Sequence, residues 1–82
     1  MNEKEIKIVT LNCFSKRLKM EMDEISLDVP IKDLVNNNMY VLSHILVDIH
    51  ENLELDTISY PINQESELFP TVQSVIDYIQ KV

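Results

Sequence analysis

The chain of 82 residues contains no glycine. Phosphate-cradling loops and dinucleotide-binding turns need glycine where the backbone approaches the ligand closely or adopts a positive φ angle. These nucleotide-binding motifs are therefore excluded. Stretches of useful length that alternate polar and apolar residues are missing as well, so the sequence does not predict a β-sheet.

Cysteine and long apolar runs are also scarce. The single cysteine, Cys13, allows neither an internal disulfide nor a cysteine-based zinc cluster, and we expect it to be a small buried hydrophobe. No apolar run approaches the roughly 20 residues that a membrane-spanning helix needs, and the N-terminal residues MNEKEIKI lack a signal-peptide core. These absences favour a soluble, cytoplasmic protein.

Lysine and arginine are missing between Asp33 and Gln80, where the chain carries eight carboxylates. Six basic and six acidic residues cancel within residues 1–32, so these eight acids and Lys81 give the net charge of −7. A field of one sign repels phosphate backbones and anionic membranes, and it steers basic protein partners into encounter. We therefore expect no binding to nucleic acid or membrane. Plain solubility is the simpler explanation of the same charge.

Apolar residues at helical spacing predict a first helix from Glu5 to Met20. Its expected buried stripe comprises Ile8, Leu11, Phe14 and Leu18. Residues 21–37 combine turn-forming and apolar residues, so we expect a long ordered connection that packs against the rest of the domain. Pro30 prevents one helix from running through this connection.

The second helix is the clearest element of the sequence. It follows the three asparagines of residues 36–38, and asparagine is among the best helix N-caps. Its expected core stripe comprises Met39, Leu42, Ile45, Leu46, Ile49 and Leu53. The opposite side comprises Tyr40, His44, Val47, Asp48 and Glu51. Two apolar side chains among carboxylates are typical of a weak docking surface.

The remaining residues predict a turn and extended stretch from Glu54 to Pro61, followed by two helices. Residues 63–68 form a short helix that Asn63 caps, with Leu68 and Phe69 turned inward. The last helix opens at Pro70 and Thr71, and its apolar stripe comprises Val72, Val75, Ile76 and Ile79. The predicted fold is all-α: one domain of residues 1–82, a small bundle of three longer helices and one short third helix, with a long first loop.

Two segments are similar to parts of the acyl carrier protein family. Residues 71–79, with the sequence TVQSVIDYI, resemble that family's last helix. Residues 23–28 (DEISLD), followed by residues 31–34 (IKDL), resemble its first loop, which ends in the Asp-Leu pair before the carrier site. The order of elements and the acidic second helix agree with this resemblance. It implies a phosphopantetheine-carrier four-helix fold over almost the whole chain.

In that family an Asp-Ser-Leu motif opens the second helix, and its serine carries a 4′-phosphopantetheine arm. The helix N-terminus suits the arm's phosphate because it presents free N–H groups and a partial positive charge. This chain has Asn37, Asn38 and Met39 at those positions. Asn38 has no hydroxyl to form the phosphodiester, so we expect the arm to be absent. Ser43 is the only nearby serine, and it lies more than a turn inside the helix.

Three interpretations of Asn38 stay open at the level of the sequence. The protein is a natural relative that has lost the arm, or a carrier whose serine was replaced deliberately, or its second helix begins elsewhere. In the first two cases the resemblance implies docking on enzymes of fatty-acid or polyketide-type acyl metabolism that present basic patches. The expected partner-binding residues are Met39, Val47, Asp48, Glu51 and Glu54.

A non-carrier interaction or regulatory module with the same fold, held in a stable complex, is the alternative. An enzyme is not expected, because no nucleophile lies beside a candidate base in any known motif. His44 and His50 are six residues apart, which is too far for the i, i+4 pairing of a metal site. We expect a monomer when the protein is on its own.

Overall fold

A computed structural model describes residues 2–55 and 64–81, and these residues form helices and no strand. The α-helices in these ranges are α1 (Glu3–Leu18), α2 (Ile31–Leu34), α3 (Met39–Asn52), α4 (Glu65–Leu68) and α5 (Val72–Lys81). A 3₁₀ turn, Met22–Glu24, follows α1. The predicted all-α class is thus confirmed. The three longer helices are confirmed as well: the predicted first, second and last helices are α1, α3 and α5. The predicted stretch from Glu54 to Pro61 and the cap Asn63 lie almost wholly outside the described residues.

Polar groups at both ends of α1 explain its boundaries, which lie two residues before the predicted ones. Asn2 caps the helix, since its Oδ1 accepts a 2.8 Å hydrogen bond from the Glu5 N–H. Acidic residues occupy the first turn and basic residues the last, which matches the helix dipole. The helix ends because Lys19 adopts the left-handed conformation, φ 56° and ψ 43°. Glycine usually takes this position, and this chain has none.

The buried face of α1 differs from the predicted stripe. Its buried residues are Ile6, Thr10, Cys13 and Phe14. Phe14 and the buried Cys13 agree with the prediction, whereas Ile8, which was expected in the core, is 48% exposed. Apolar side chains surround much of α1, so periodicity alone could not select the packed face. The contacts of α1 with α3 and α5 select it.

The long connection between α1 and α3 packs against the domain, as predicted. Ile25, Ile31 and Val35 are buried in the core. The backbone of the connection is also joined to the start of α5: the Ile31 N–H donates to the Pro70 carbonyl at 2.8 Å, and the Gln73 N–H donates to the Leu27 carbonyl at 3.1 Å. These hydrogen bonds attach the segment that precedes α3 in the chain to the start of α5, so they help to position α3.

Helix α1 packs against α3 and α5. Arg17 contacts Asp48, whereas Cys13, one turn earlier in α1, contacts Asn52, one turn later in α3, so these two helices run in opposite directions. The predicted core stripes of α3 and α5 are confirmed for eight residues that are fully or almost fully buried: Leu42, Ile45, Leu46, Ile49, Val72, Val75, Ile76 and Ile79. Leu53, also predicted in the α3 stripe, is partly buried, and the Met39 side chain lies outside the described residues. Phe69 is buried as predicted, but Leu68 is 41% exposed. Of the two residues predicted to turn inward here, only Phe69 does so.

Candidate functional site: the start and outer face of α3

Asn38 is the exposed residue immediately before α3, at its N-cap position. The preceding Asn36 and Asn37 have φ angles of 52° and 63°, a left-handed conformation that asparagine tolerates better than most residues. Together they turn the chain from α2 into α3. Because α3 begins at Met39, the interpretation in which the helix starts elsewhere is excluded.

The Asn38 side chain makes no capping hydrogen bond to α3 within the described part of the chain. The Asn38 backbone is nevertheless fixed, since its N–H donates to Val35 at 3.0 Å and its carbonyl accepts from Val41 at 3.1 Å. An exposed amide side chain therefore lies at the N-terminal end of α3, which we call the helix mouth. The amide nitrogen is not nucleophilic and there is no hydroxyl, so this position does not fit covalent attachment of a phosphopantetheine arm.

Ser43, the nearby serine, does not lie at the N-terminal end of α3. It is the fifth residue of α3 and is partly buried, inside the first turns of the helix rather than at the mouth. The backbone of Met39 opens α3, but its side chain lies outside the described part of the structure. The sequence-based expectation that Met39 contributes to binding therefore stays a prediction.

Four exposed side chains form one stripe along α3, which we call the outer face: Tyr40, His44, Val47 and Glu51. Their spacing of four, three and four residues places them on one side of the helix. Tyr40 is 81% exposed and Val47 is 42% exposed. The outer face thus presents two apolar or aromatic groups, one imidazole and one carboxylate to solvent.

Asp48 is not part of the outer face, although the sequence placed it there. Its two carboxylate oxygens accept hydrogen bonds from Arg17 of α1, 2.7 Å from Nε and 3.2 Å from Nη2. This hydrogen bond and the negative charge of Asp48 raise the pKa of Arg17 above its ordinary value. The Asp48 side chain is 28% exposed, and its charge is balanced within the molecule.

Glu54 lies beyond the C-terminal end of α3, about 20 Å along the helix from Asn38. It is exposed and has a φ angle of 57°. The predicted partner-binding residues therefore do not form one patch. Val47 and Glu51 share the outer face, Asp48 faces α1, and Glu54 stands at the far end.

Two features of this region were missed at the level of the sequence. One is the ion pair between Asp48 and Arg17. The other is His50, which is buried: its Nδ1 lies 2.6 Å from the Leu46 carbonyl, and its Nε2 lies 3.0 Å from the Tyr78 hydroxyl. His50 is four residues after Leu46, so the core periodicity of α3 contained a signal for its burial.

The parts of the chain that the structure describes hold no cluster of three or more histidine, cysteine, aspartate or glutamate side chains that could bind a metal ion. Among the same residues, no helix has the length and apolar character needed to cross a membrane.

The fold and the site define a class of protein: a small helical domain with a partly acidic, partly apolar helix exposed at one side. Comparisons with protein-family models, with curated proteins and with solved structures found no match.

Proposed function

We propose that this protein is an acyl-carrier-like domain that docks on enzymes of fatty-acid or polyketide-type acyl metabolism through the outer face of α3. The observation that carries the proposal is the position of Asn38. It is exposed at the mouth of the helix to which the resemblance assigns the attachment serine. A long packed connection precedes this helix, and the segment resembling the family's last helix forms α5.

The proposal assigns no covalent arm to this chain. Asn38 offers an amide where the phosphodiester of 4′-phosphopantetheine would need a hydroxyl oxygen. The domain then acts by binding alone, either as a natural relative without the arm or as a carrier in which the serine was replaced. Its place of action would be the cytoplasm, where the soluble partner enzymes are expected.

The outer face of α3 would contact such partners through one carboxylate and a neighbouring apolar side chain. Glu51 is the carboxylate of the outer face, and Val47 lies one helical turn before it. Asp48 contributes little because Arg17 already occupies both of its oxygens. Exposed charge pairs contribute at most about 1 kcal/mol each and are weakened by salt, so docking is transient and depends on ionic strength.

A second candidate function is a non-carrier interaction module that stays in a stable complex. The exposure of Tyr40 and Val47 on the same side of α3 favours it. Tyrosine is enriched among residues that dominate binding energy, and a partner that buries this ring would gain an apolar contact that salt does not screen. Binding that persists in high salt would separate this candidate from the first.

The decisive experiment is intact-mass measurement after co-expression with a phosphopantetheinyl transferase. We expect no mass gain for the native chain and a gain of one phosphopantetheine group for Asn38→Ser, because that change restores the hydroxyl at an exposed helix mouth. Asn38→Ala is the matched control and should gain nothing. The double variant Asn38→Ser, Ser43→Ala should still be modified.

Two results would contradict the proposal. A mass gain in the native chain would mean that another hydroxyl carries the arm. If folded Asn38→Ser is never modified by any of several transferases, the resemblance to carrier domains does not extend to recognition by the enzymes of that system.

A further inference from the structure

An open groove of about 470 Å³ lies between the first half of α1 and the C-terminal end of α3. The described residues that line it are Glu5, Ile8, Val9, Asn52, Leu53 and Glu54. This volume is within the range of small-ligand and side-chain pockets. The groove lies at the opposite end of α3 from Asn38, and of the predicted partner-binding residues only Glu54 is among its described lining residues.

The floor of the groove is apolar. Val9 and Leu53 are partly buried and pack against the hydrophobic core, whereas Ile8 is 48% exposed. Because α1 turns Ile6, Thr10 and its other buried residues toward α3 and α5, Ile8 remains at the surface. An isoleucine in this position has apolar surface that a partner could remove from water.

Two carboxylates stand at the rim of the groove, Glu5 on α1 and Glu54 after α3. Both are exposed, and neither forms an ion pair with another described residue. No lysine or arginine is among the described residues that line the groove. Lys4 lies four residues before Ile8 and thus on the same side of α1, but neither Lys4 nor Lys7 is among the described residues that line the groove. The charge of the lining is therefore negative.

The backbone fixes the position of the second carboxylate. Glu54 adopts a left-handed conformation, and the flanking hydrogen bonds from its own N–H to Glu51 and from the Leu55 N–H to His50 hold the turn. A side chain on a residue whose backbone is held in this way loses less conformational freedom on binding than one on a mobile loop.

We propose that this groove is a second docking site, which binds a segment of a partner protein carrying an aliphatic side chain next to a lysine or arginine. The aliphatic group would pack on Ile8 and Leu53, and the cation would lie between Glu5 and Glu54. Charge complementarity selects this occupant, because the rim carries two unpaired carboxylates and the floor is apolar. A purely acidic or purely polar segment does not fit either feature.

The test is a titration of the ¹⁵N-labelled full chain with a short peptide of leucine and lysine in helical spacing. We expect amide shifts at the groove residues and a dissociation constant below about 1 mM. Two control peptides separate the contributions: one has glutamate in place of lysine, and the other has serine in place of leucine. Both should fail to shift the groove residues.

The chain also offers matched variants. Replacing both rim carboxylates, Glu5→Gln with Glu54→Gln, should weaken binding about fivefold, as expected for two exposed charge pairs. Asp77→Asn removes one carboxylate from the exposed side of α5, outside the groove, and should leave the affinity unchanged. All three positions are exposed, so the variants should fold.

Three outcomes would overturn the proposal. In the first, the shifts cluster on the outer face of α3 instead of the groove. In the second, the double glutamine variant binds as tightly as the native chain. In the third, the groove amides shift with protein concentration in the absence of peptide, which would mean that a second copy of this chain is the occupant.

Discussion

Arg17 of α1 holds the Asp48 carboxylate of α3 by two hydrogen bonds, of 2.7 Å from Nε and 3.2 Å from Nη2. Two parallel N–H···O bonds are the preferred geometry of an arginine–carboxylate pair. The pair joins two helices that are 31 residues apart at these positions. It also neutralises a carboxylate that would otherwise add to the acidity near the outer face.

A double-mutant cycle measures this pair. We expect Arg17→Met, which keeps the aliphatic stem, to lower the free energy of unfolding slightly in low salt, and Asp48→Asn to do the same. The combined variant should lose less than the sum of the two, because both changes remove one interaction. Urea denaturation in low and high salt is the measurement, and the coupling should shrink as salt screens the pair. Additive losses in low salt would show that the two groups do not interact in solution.

The outer face can be tested with a phosphopantetheinyl transferase as the docking partner of the Asn38→Ser variant. Adding Glu51→Lys should slow the modification several-fold, since the change reverses the charge of the carboxylate on the outer face. Asp77→Lys makes the same charge change on the exposed side of α5 and serves as the control. Rates are measured by intact mass over time at two salt concentrations. Equal rates for the two lysine variants would mean that only net charge matters.

Thr10 is completely buried in α1, and its hydroxyl has no hydrogen-bond partner among the described residues. Desolvating a hydroxyl without a compensating hydrogen bond is unfavourable. The nearly isosteric Thr10→Val should therefore raise the free energy of unfolding by about 1 kcal/mol. Urea denaturation with an unchanged slope is the measurement.

Thr10→Ser is the control for this prediction. It keeps the hydroxyl and deletes a buried methyl group, so it should lower stability by about 1 kcal/mol. If Thr10→Val is destabilising instead, the native hydroxyl has a hydrogen-bond partner, such as an internal water molecule. The core around the buried face of α1 would then be more polar than its packing indicates.

Cys13 makes stability depend on pH in the alkaline range. Burial raises the pKa of its thiol above the 9.0 of an ordinary cysteine; the negative charge of Asp48 acts in the same direction and Lys16 in the opposite one. The unfolded chain therefore loses this proton first as pH rises. The contribution of the protonated Cys13 thiol to the free energy of unfolding is complete below about pH 9. This contribution declines as pH rises toward the pKa of the thiol in the folded protein.

Cys13→Ala should be less stable than the native protein at pH 7 and should lack this part of the alkaline decline. Denaturation curves between pH 7 and about 10 compare the two slopes. The native thiol should also react slowly with a disulfide reagent at neutral pH, and it should react quickly once urea unfolds the chain. Rapid reaction in the folded protein would contradict the burial of Cys13.

The sequence by itself determined the helical class, the three longer helices and the buried faces of α3 and α5, because the core residues of those two helices recur at spacings of three and four. It also determined the chemistry at Asn38, since the absence of a hydroxyl follows from the identity of the residue. The start of α3 after the three asparagines was predicted as well, although Asn38 makes no side-chain capping hydrogen bond and Asn36 and Asn37 instead form a left-handed turn before the helix.

Only the tertiary structure decided which side of α1 is buried, because Ile6 and Ile8 are equally apolar and the choice between them depends on packing against α3 and α5. It also decided that Asp48 pairs with Arg17 and that Glu54 lies at a groove with Glu5. These pairs join residues 31 and 49 positions apart. Local periodicity describes neighbours within about two helical turns, so charges brought together from distant helices leave no pattern in the sequence.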